Sequence, residues 1–157
     1  MTIAIEVEDE AWAALPGLEA LAAGAVKAAL AACDVAEVGV DVFVLFTDDA
    51  AIAAMNAEWR GMAKPTNVLS FPAPEDLPLP DGEPQPLGDI VLASGVIARE
   101  ALGQGKTLHD HCAHLIVHGC LHLLGHDHDD ETEAAAMERH EIEILKGLGI
   151  SNPYERE

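Results

Sequence analysis

From His114 to His128 the chain reads HLIVHGCLHLLGHDH, and no other stretch so restricts what it can fold into. Leu115, Ile116, Leu121, Leu123 and Leu124 occupy most of a helical circumference, so a helix here has to be central and buried, with the rest of the chain packed around it. On that helix His118 and His122 stand at i and i+4, which puts them on one face with imidazoles able to meet at a common atom. Gly125 follows, a residue free to take the left-handed conformation that ends a helix and turns the chain back. His128 is then placed to return as a third ligand.

Three neutral imidazoles suit Zn²⁺, and three protein ligands on a tetrahedral metal leave one position for water or substrate. Zinc held in this way lowers the pKa of its water to about 7 and polarises a phosphoryl or carbonyl oxygen, so the expected chemistry is hydrolysis at a single Zn²⁺. The spacing H-x-x-x-H-x-x-G-x-x-H resembles the metzincin zinc motif, except that Gly119 stands where a metallopeptidase needs glutamate. A metal hydrolase is expected, and peptidase chemistry is not. A lone histidine is more often a cap or a satisfied core group; three at this spacing around a glycine read as ligands. His114 and His111, one and two turns earlier, are left to line the cleft or tune the site, since a fourth permanent ligand would close it. Asp127 either orients His128 or caps the helix that follows.

With 157 residues, half of them apolar, the chain is expected to form one domain, residues 1–157. Eight Lys and Arg against 28 Asp and Glu leave a formal charge of −20, which repels polyanions and disfavours tight nonspecific binding to nucleic acid. A local basic patch stays open, because Arg60, Lys64, Arg99 and Lys106 fall between the middle of the chain and the histidine helix. Cys33, Cys112 and Cys120 are odd in number and lack C-x-x-C spacing. They read as buried thiols in a reducing cytoplasm. No apolar run of about 18 residues is present to span a bilayer, and the acidic start MTIAIEVEDE is unlike an export signal.

Alternation predicts a first strand at Ile3, Ile5 and Val7 and a second over Val38–Phe46, where Phe43 and Leu45 suggest burial on both faces at its end. Between them an Ala- and Leu-rich helix is expected to become regular after Pro16 and Gly17. Thr47 reads as the cap of a helix with Ile52, Met55 and Trp59 on its apolar face, ending near Arg60 and Gly61. Val68–Phe71 and Gly88–Ala93 read as the third and fourth strands, with a proline-rich loop from Pro72 to Pro86 serving as a wall or lid of a site or as a surface excursion. Ser94 is expected to cap a helix ending at Gly103, Thr107 with Asp110 to open the histidine helix, and Asp129 and Asp130 to begin a last helix with Met137, Ile144, Leu145 and Leu148 on one face. The sum is an α+β fold, a small four-stranded mixed sheet with about five helices.

These segments together resemble the YbeY family of bacterial ribosomal RNA maturation endoribonucleases. The resemblance runs from about the second strand to the C-terminus and rests on NAEWR (56–60), PTNVLSFP (65–72), LGDI (87–90), HGCLHLLGHDH (118–128) and the closing Met137, Glu138 and Glu141. It implies zinc ligands at His118, His122 and His128 and a functionally important arginine at Arg60, with His118 and Arg60 as the catalytic pair. Asn67 stands where the family usually carries Asp. The resemblance further implies a zinc-dependent endoribonuclease that cuts single-stranded RNA, matures the 3′ end of the small-subunit ribosomal RNA and takes part in ribosome quality control. Its partners would be ribosomal RNA and the small ribosomal subunit or its proteins, in the cytoplasm. A metalloprotease-like hydrolase and a noncatalytic zinc-binding assembly factor are the two other readings.

Overall fold

A computed structural model describes residues 2–35, 40–74, 85–126 and 130–154. Four strands form one mixed sheet: β1 (Thr2–Val7), β2 (Val40–Thr47), β3 (Val68–Pro72) and β4 (Gln85–Ala93), in the order β1-β2-β4-β3. The first three in that order run parallel, and β3 pairs antiparallel with β4 at the edge. Five helices join them: α1 (Leu18–Ala32), α2 (Asp49–Arg60), α3 (Ser94–Gln104), α4 (Leu108–Leu123) and α5 (Glu131–Gly147). The expected α+β architecture is the observed one.

The sheet buries unequal faces. Val42, Val44, Phe46, Ile90 and Leu92 meet α1, α4 and α5 in the larger core, while Leu45, Leu69 and Val91 meet Ile52 of α2 in a smaller one. The two faces explain why β2 loses its alternation: from Val44 onward both sides are covered. Fully burying each Ile or Leu contributes roughly 1.5–3 kcal/mol, so the larger core sets the position of α4. Trp12 lies in a 3₁₀ turn over Glu10–Ala14, its ring 4.9 Å from that of Phe46 and its indole N–H donating to the Thr47 carbonyl at 2.9 Å.

Several helix ends differ from expectation, for one physical reason: strands run straight into helices, and caps come from elsewhere. Thr47 is the last residue of β2, and Asp48 caps α2 through its carboxylate on the Ala51 N–H at 2.8 Å. Ser94 is the first residue of α3, following Ala93, and its hydroxyl donates to Asp9. The first turn of α3 is satisfied from α2 instead, by Asp49 accepting from the Val96 N–H at 3.0 Å while also holding Arg99 at 3.0 Å. α3 ends at Gln104 with Gly105 left-handed, and Thr107 caps α4 through the Asp110 N–H as expected. Asp130 caps α5. Trp59 is 68% exposed, its ring centroid 6.0 Å from that of Phe71, so the apolar face of α2 stops short of it. Leu148, too, is exposed.

The proline-rich loop is shorter than predicted, because Pro72 ends β3 and Pro86 lies within β4; residues 75–84, like Val38 and Asp129, lie outside those described. Gly88 is the tightest point of the sheet. Its φ is +141°, and a Cβ there would stand 2.3 Å from the Phe71 carbonyl oxygen and 2.8 Å from Leu123 of α4.

Candidate metal centre

From His111 to Leu123, α4 is buried at every position except two, His118 and His122, which are half-buried. A helix locked on nearly all sides therefore opens to one side, where the paired histidines stand. Their Nε2 atoms are 3.1 Å apart. Each ring is turned by a bond at its other nitrogen: His118 Nδ1 donates to Glu141 Oε1 at 2.8 Å, and His122 Nδ1 donates to the His126 backbone carbonyl at 3.0 Å. A carbonyl and an ionised carboxylate only accept, which assigns the tautomers and leaves both Nε2 lone pairs directed at each other. Two ring nitrogens at that distance share either a proton or a metal ion between them. Two imidazoles on one tetrahedral zinc, with Zn–N near 2.05 Å, place their nitrogens about 3.3 Å apart. The donors present fit a metal, and His118 and His122 would hold it.

The turn that supplies the His126 carbonyl is the predicted one. Gly125 has φ +95°, and the His126 N–H reaches back to the Leu121 carbonyl at 3.0 Å, closing the helix end. His128 and Asp127 lie outside the described residues, and among the described residues no group of three or more metal-donor side chains is formed.

Glu141 is the residue whose role spacing did not disclose. Its side chain is 1% exposed and accepts from His118, from His114 Nε2 at 3.1 Å and from the Tyr154 hydroxyl at 2.6 Å. Burial pushes its carboxyl up, but the three donors outweigh burial and hold it down at about 2. Tyr154 is pushed well above the usual phenol range, by burial and by that carboxylate. His114 thus shares the Glu141 carboxylate with His118. A cavity of about 280 Å³ opens here, lined by His118, Glu138, Glu141 and Tyr154 with Ala134 and Met137. Its charged walls are acidic, which favours a cation.

A buried carboxylate that orients a ligand histidine typically contributes 10–100-fold to metal affinity. Glu141→Gln keeps the shape but weakens acceptance from His118, so zinc affinity should fall by about that factor in a competition titration against a chelator; unchanged affinity would make Glu141 a core group only.

Gly119 is explained by packing. A Cβ there would stand 3.0 Å from both Ile90 Cγ2 and Ser70 Oγ, and Ser70 donates to the Gly119 carbonyl at 3.1 Å. The Cβ direction at Gly119 meets the sheet at Ile90 and Ser70, so a larger side chain would have to displace one of them. Gly119→Ala should cost about 1–3 kcal/mol in denaturant unfolding through the displaced helix, and an unchanged midpoint would count against this account.

The other candidates divide. His111, 3% exposed, leaves the cleft and donates through Nε2 to Glu100 Oε1 at 2.9 Å; burial lowers its pKa. Cys112 and Cys120 are buried with thiols pushed up to about 12 by burial, so they are neutral packing groups, and Cys33 is a free thiol 3.7 Å from His126 Nε2. Arg60, Lys64, Arg99 and Lys106 do not converge on the histidines. Arg60 and Lys64 line another cavity, Arg99 pairs with Asp49, and Lys106 lies in the field of Glu100. No helix among the described residues is long and apolar enough to cross a membrane.

Fold and site together define a small α+β protein built around an imidazole pair on its buried helix, with a buried carboxylate steering one ring. The sequence profile of the family described as Endoribonuclease YbeY matches residues 4–149, and the chain belongs to that family. The Endoribonuclease YbeY of Azorhizobium caulinodans is 51% identical over 156 residues, covering 98% of this chain and 96% of that one. Its counterpart in Dinoroseobacter shibae is 51% identical over 165 residues, covering 98% and 91%. The solution structure of TM1509 from Thermotoga maritima shares the fold, with a TM-score of 0.55 at 23% identity, covering 98% and 99% of the two chains.

Proposed function

We propose that this chain, as one unit over residues 1–157, is a zinc-dependent endoribonuclease that hydrolyses single-stranded RNA. Its place would be ribosomal RNA processing at the 3′ end of the small-subunit RNA and ribosome quality control in the cytoplasm, with the small subunit or its proteins as partner. Family membership supports the reaction class. The observation that carries the metal part is the 3.1 Å approach of two Nε2 atoms whose Nδ1 atoms are both committed as donors.

His118 and His122, joined by His128, would hold the ion, which when bound supplies a Lewis acid for a phosphate oxygen and acidifies a water. Glu141 holds the His118 proton on Nδ1 and so keeps the ring in the tautomer whose Nε2 would ligate the ion. Arg60, which lines the second cavity and not the one at His118, would offset the charge of a substrate phosphate held there. The charge of −20 is compatible with RNA when contact is confined to the cavity bearing Arg60 and Lys64 and affinity is supplemented by the ribosomal partner.

The deciding experiment combines metal analysis with cleavage of a labelled single-stranded RNA, before and after chelation. Zinc-bound, chelator-sensitive cleavage is expected; zinc without cleavage would leave a noncatalytic assembly factor. Casein hydrolysis lost with His122→Ala would favour the peptidase reading, against which the glycine at 119, in the place of a peptidase's glutamate, already stands. Arg60→Glu should lower cleavage at least about a hundredfold with zinc content unchanged. Loss of zinc from that variant would reassign Arg60 to structure.

A further inference from the structure

A second cavity, of about 400 Å³, opens where the end of α2, the loop leading to β3 and the middle of α3 meet. That volume is at the lower end of small-molecule sites, sized for one nucleotide and not for a duplex. Its walls are graded. Arg60 and Lys64 are exposed at the rim, Glu100 and Asn67 are half-buried, and Asn56 is 2% exposed. Cations therefore face solvent and acceptors lie inward.

The acceptors are held in fixed orientation. Glu100 Oε1 accepts from His111 Nε2 at 2.9 Å and from Asn67 Nδ2 at 3.0 Å, whereas Oε2 has only a long contact to Asn67 at 3.4 Å. Asn67 cannot turn over, because its Oδ1 takes the Val68 N–H at 2.7 Å. Asn56 Nδ2 donates to the Lys64 carbonyl at 2.9 Å, which leaves Asn56 Oδ1 as a buried acceptor with no partner among the described residues. A carboxylate with an open oxygen and an unpartnered amide oxygen thus border one cavity behind two cations. Such a set matches a ligand with adjacent N–H donors at one end and an anion at the other.

We propose that this cavity is a nucleotide subsite selective for guanine, in which Glu100 accepts from the base's N1–H and 2-amino group and Arg60 and Lys64 take the phosphate. Guanine alone among the four RNA bases presents two neighbouring donors on its Watson–Crick edge. Adenine and cytosine place a ring-nitrogen lone pair beside their amino group, and uracil flanks its N3–H with two carbonyls, each of which a carboxylate repels. Asn67 and His111 are positioning residues, since they hold Glu100 without lining up with the base edge. The subsite deepens the endoribonuclease reading and rests on it for its place in turnover, while its binding chemistry is testable alone.

The test is titration of the full-length, zinc-loaded chain with guanosine, adenosine, cytidine, uridine and inosine 5′-monophosphates by calorimetry. GMP should bind about tenfold tighter than AMP, CMP or UMP, and inosine monophosphate, which lacks only the 2-amino group, should lose most of that margin with no change to the protein. Glu100→Gln should bring the affinities together, and Arg60→Ala should weaken all of them alike. Equal binding of the five by the unmodified chain, or a preference that survives Glu100→Gln, overturns the subsite. RNA cleavage with indifferent monophosphate binding would remove the subsite and leave the enzyme reading intact; a guanine preference in a chain that cuts no RNA would do the reverse.

Discussion

His118→Ala is expected to strip the chain of stoichiometric zinc and to bring RNA cleavage down to background, a loss of at least about three orders of magnitude. His118 supplies one of the two Nε2 atoms that meet at 3.1 Å, and it is the ring through which Glu141 reaches the site. Removing it takes away one of those two nitrogens and costs Glu141 one of three donors. Losing a charge-assisted hydrogen bond to a buried carboxylate destabilises by about 1.5–3 kcal/mol, so the variant should still fold but melt earlier. The measurement is elemental analysis of dialysed protein beside a single-stranded RNA cleavage time course and a thermal melt. A His118→Ala protein that keeps its zinc and its cleavage would end the metal proposal.

Gly88→Ala should do the larger damage to the fold itself. The position combines φ +141°, which side chains rarely adopt, with a Cβ site 2.3 Å from the Phe71 carbonyl oxygen and 2.8 Å from Leu123 Cδ2. Phe71 is backbone in the β3–β4 ladder and cannot step aside without breaking the pairing of Pro72 with Gly88. Leu123 lies one residue beyond His122 at the end of α4, so the strain would be passed to the histidine turn. A loss of at least about 3 kcal/mol is expected, read as a fall in the denaturant midpoint or as recovery of only insoluble protein. Zinc content should fall with it. A variant with the parent's midpoint would show that β3 and β4 separate more easily than their contacts imply.

The site was legible in the sequence to the extent that it is local. An i, i+4 pair on a helix, a glycine closing that helix and the apolar positions around it are set by backbone geometry, and each of those stands where spacing placed it. The roles that escaped are long-range. Glu141 lies 23 residues from His118, and Tyr154 a further 13, so only the docking of α5 against α4 makes them one network. Arg60 and Lys64 are near the histidine helix along the chain, yet they line a cavity with Glu100 and Asn67, because α2, which ends in Arg60, packs on the smaller core across the sheet from α4.

Caps show the same division. Asp48 and Thr107 cap the helices that begin right after them, which chain proximity makes readable. Asp49 satisfies α3 from 47 residues away, and no pattern within α3 announces it. Gly119 first looked like the absence of a catalytic glutamate; packing makes it a point where the histidine helix presses on Ile90 and Ser70.

By itself the sequence determined the order of strands and helices, the burial of α4 and the partnership of His118 with His122, since periodicity and i, i+4 spacing act through adjacent backbone. Only the tertiary structure decided which carboxylate orients which imidazole, which cations share a cavity and what presses on Gly88 and Gly119. Those relations are distances between segments remote along the chain, and they come into being when the sheet and α4 pack together.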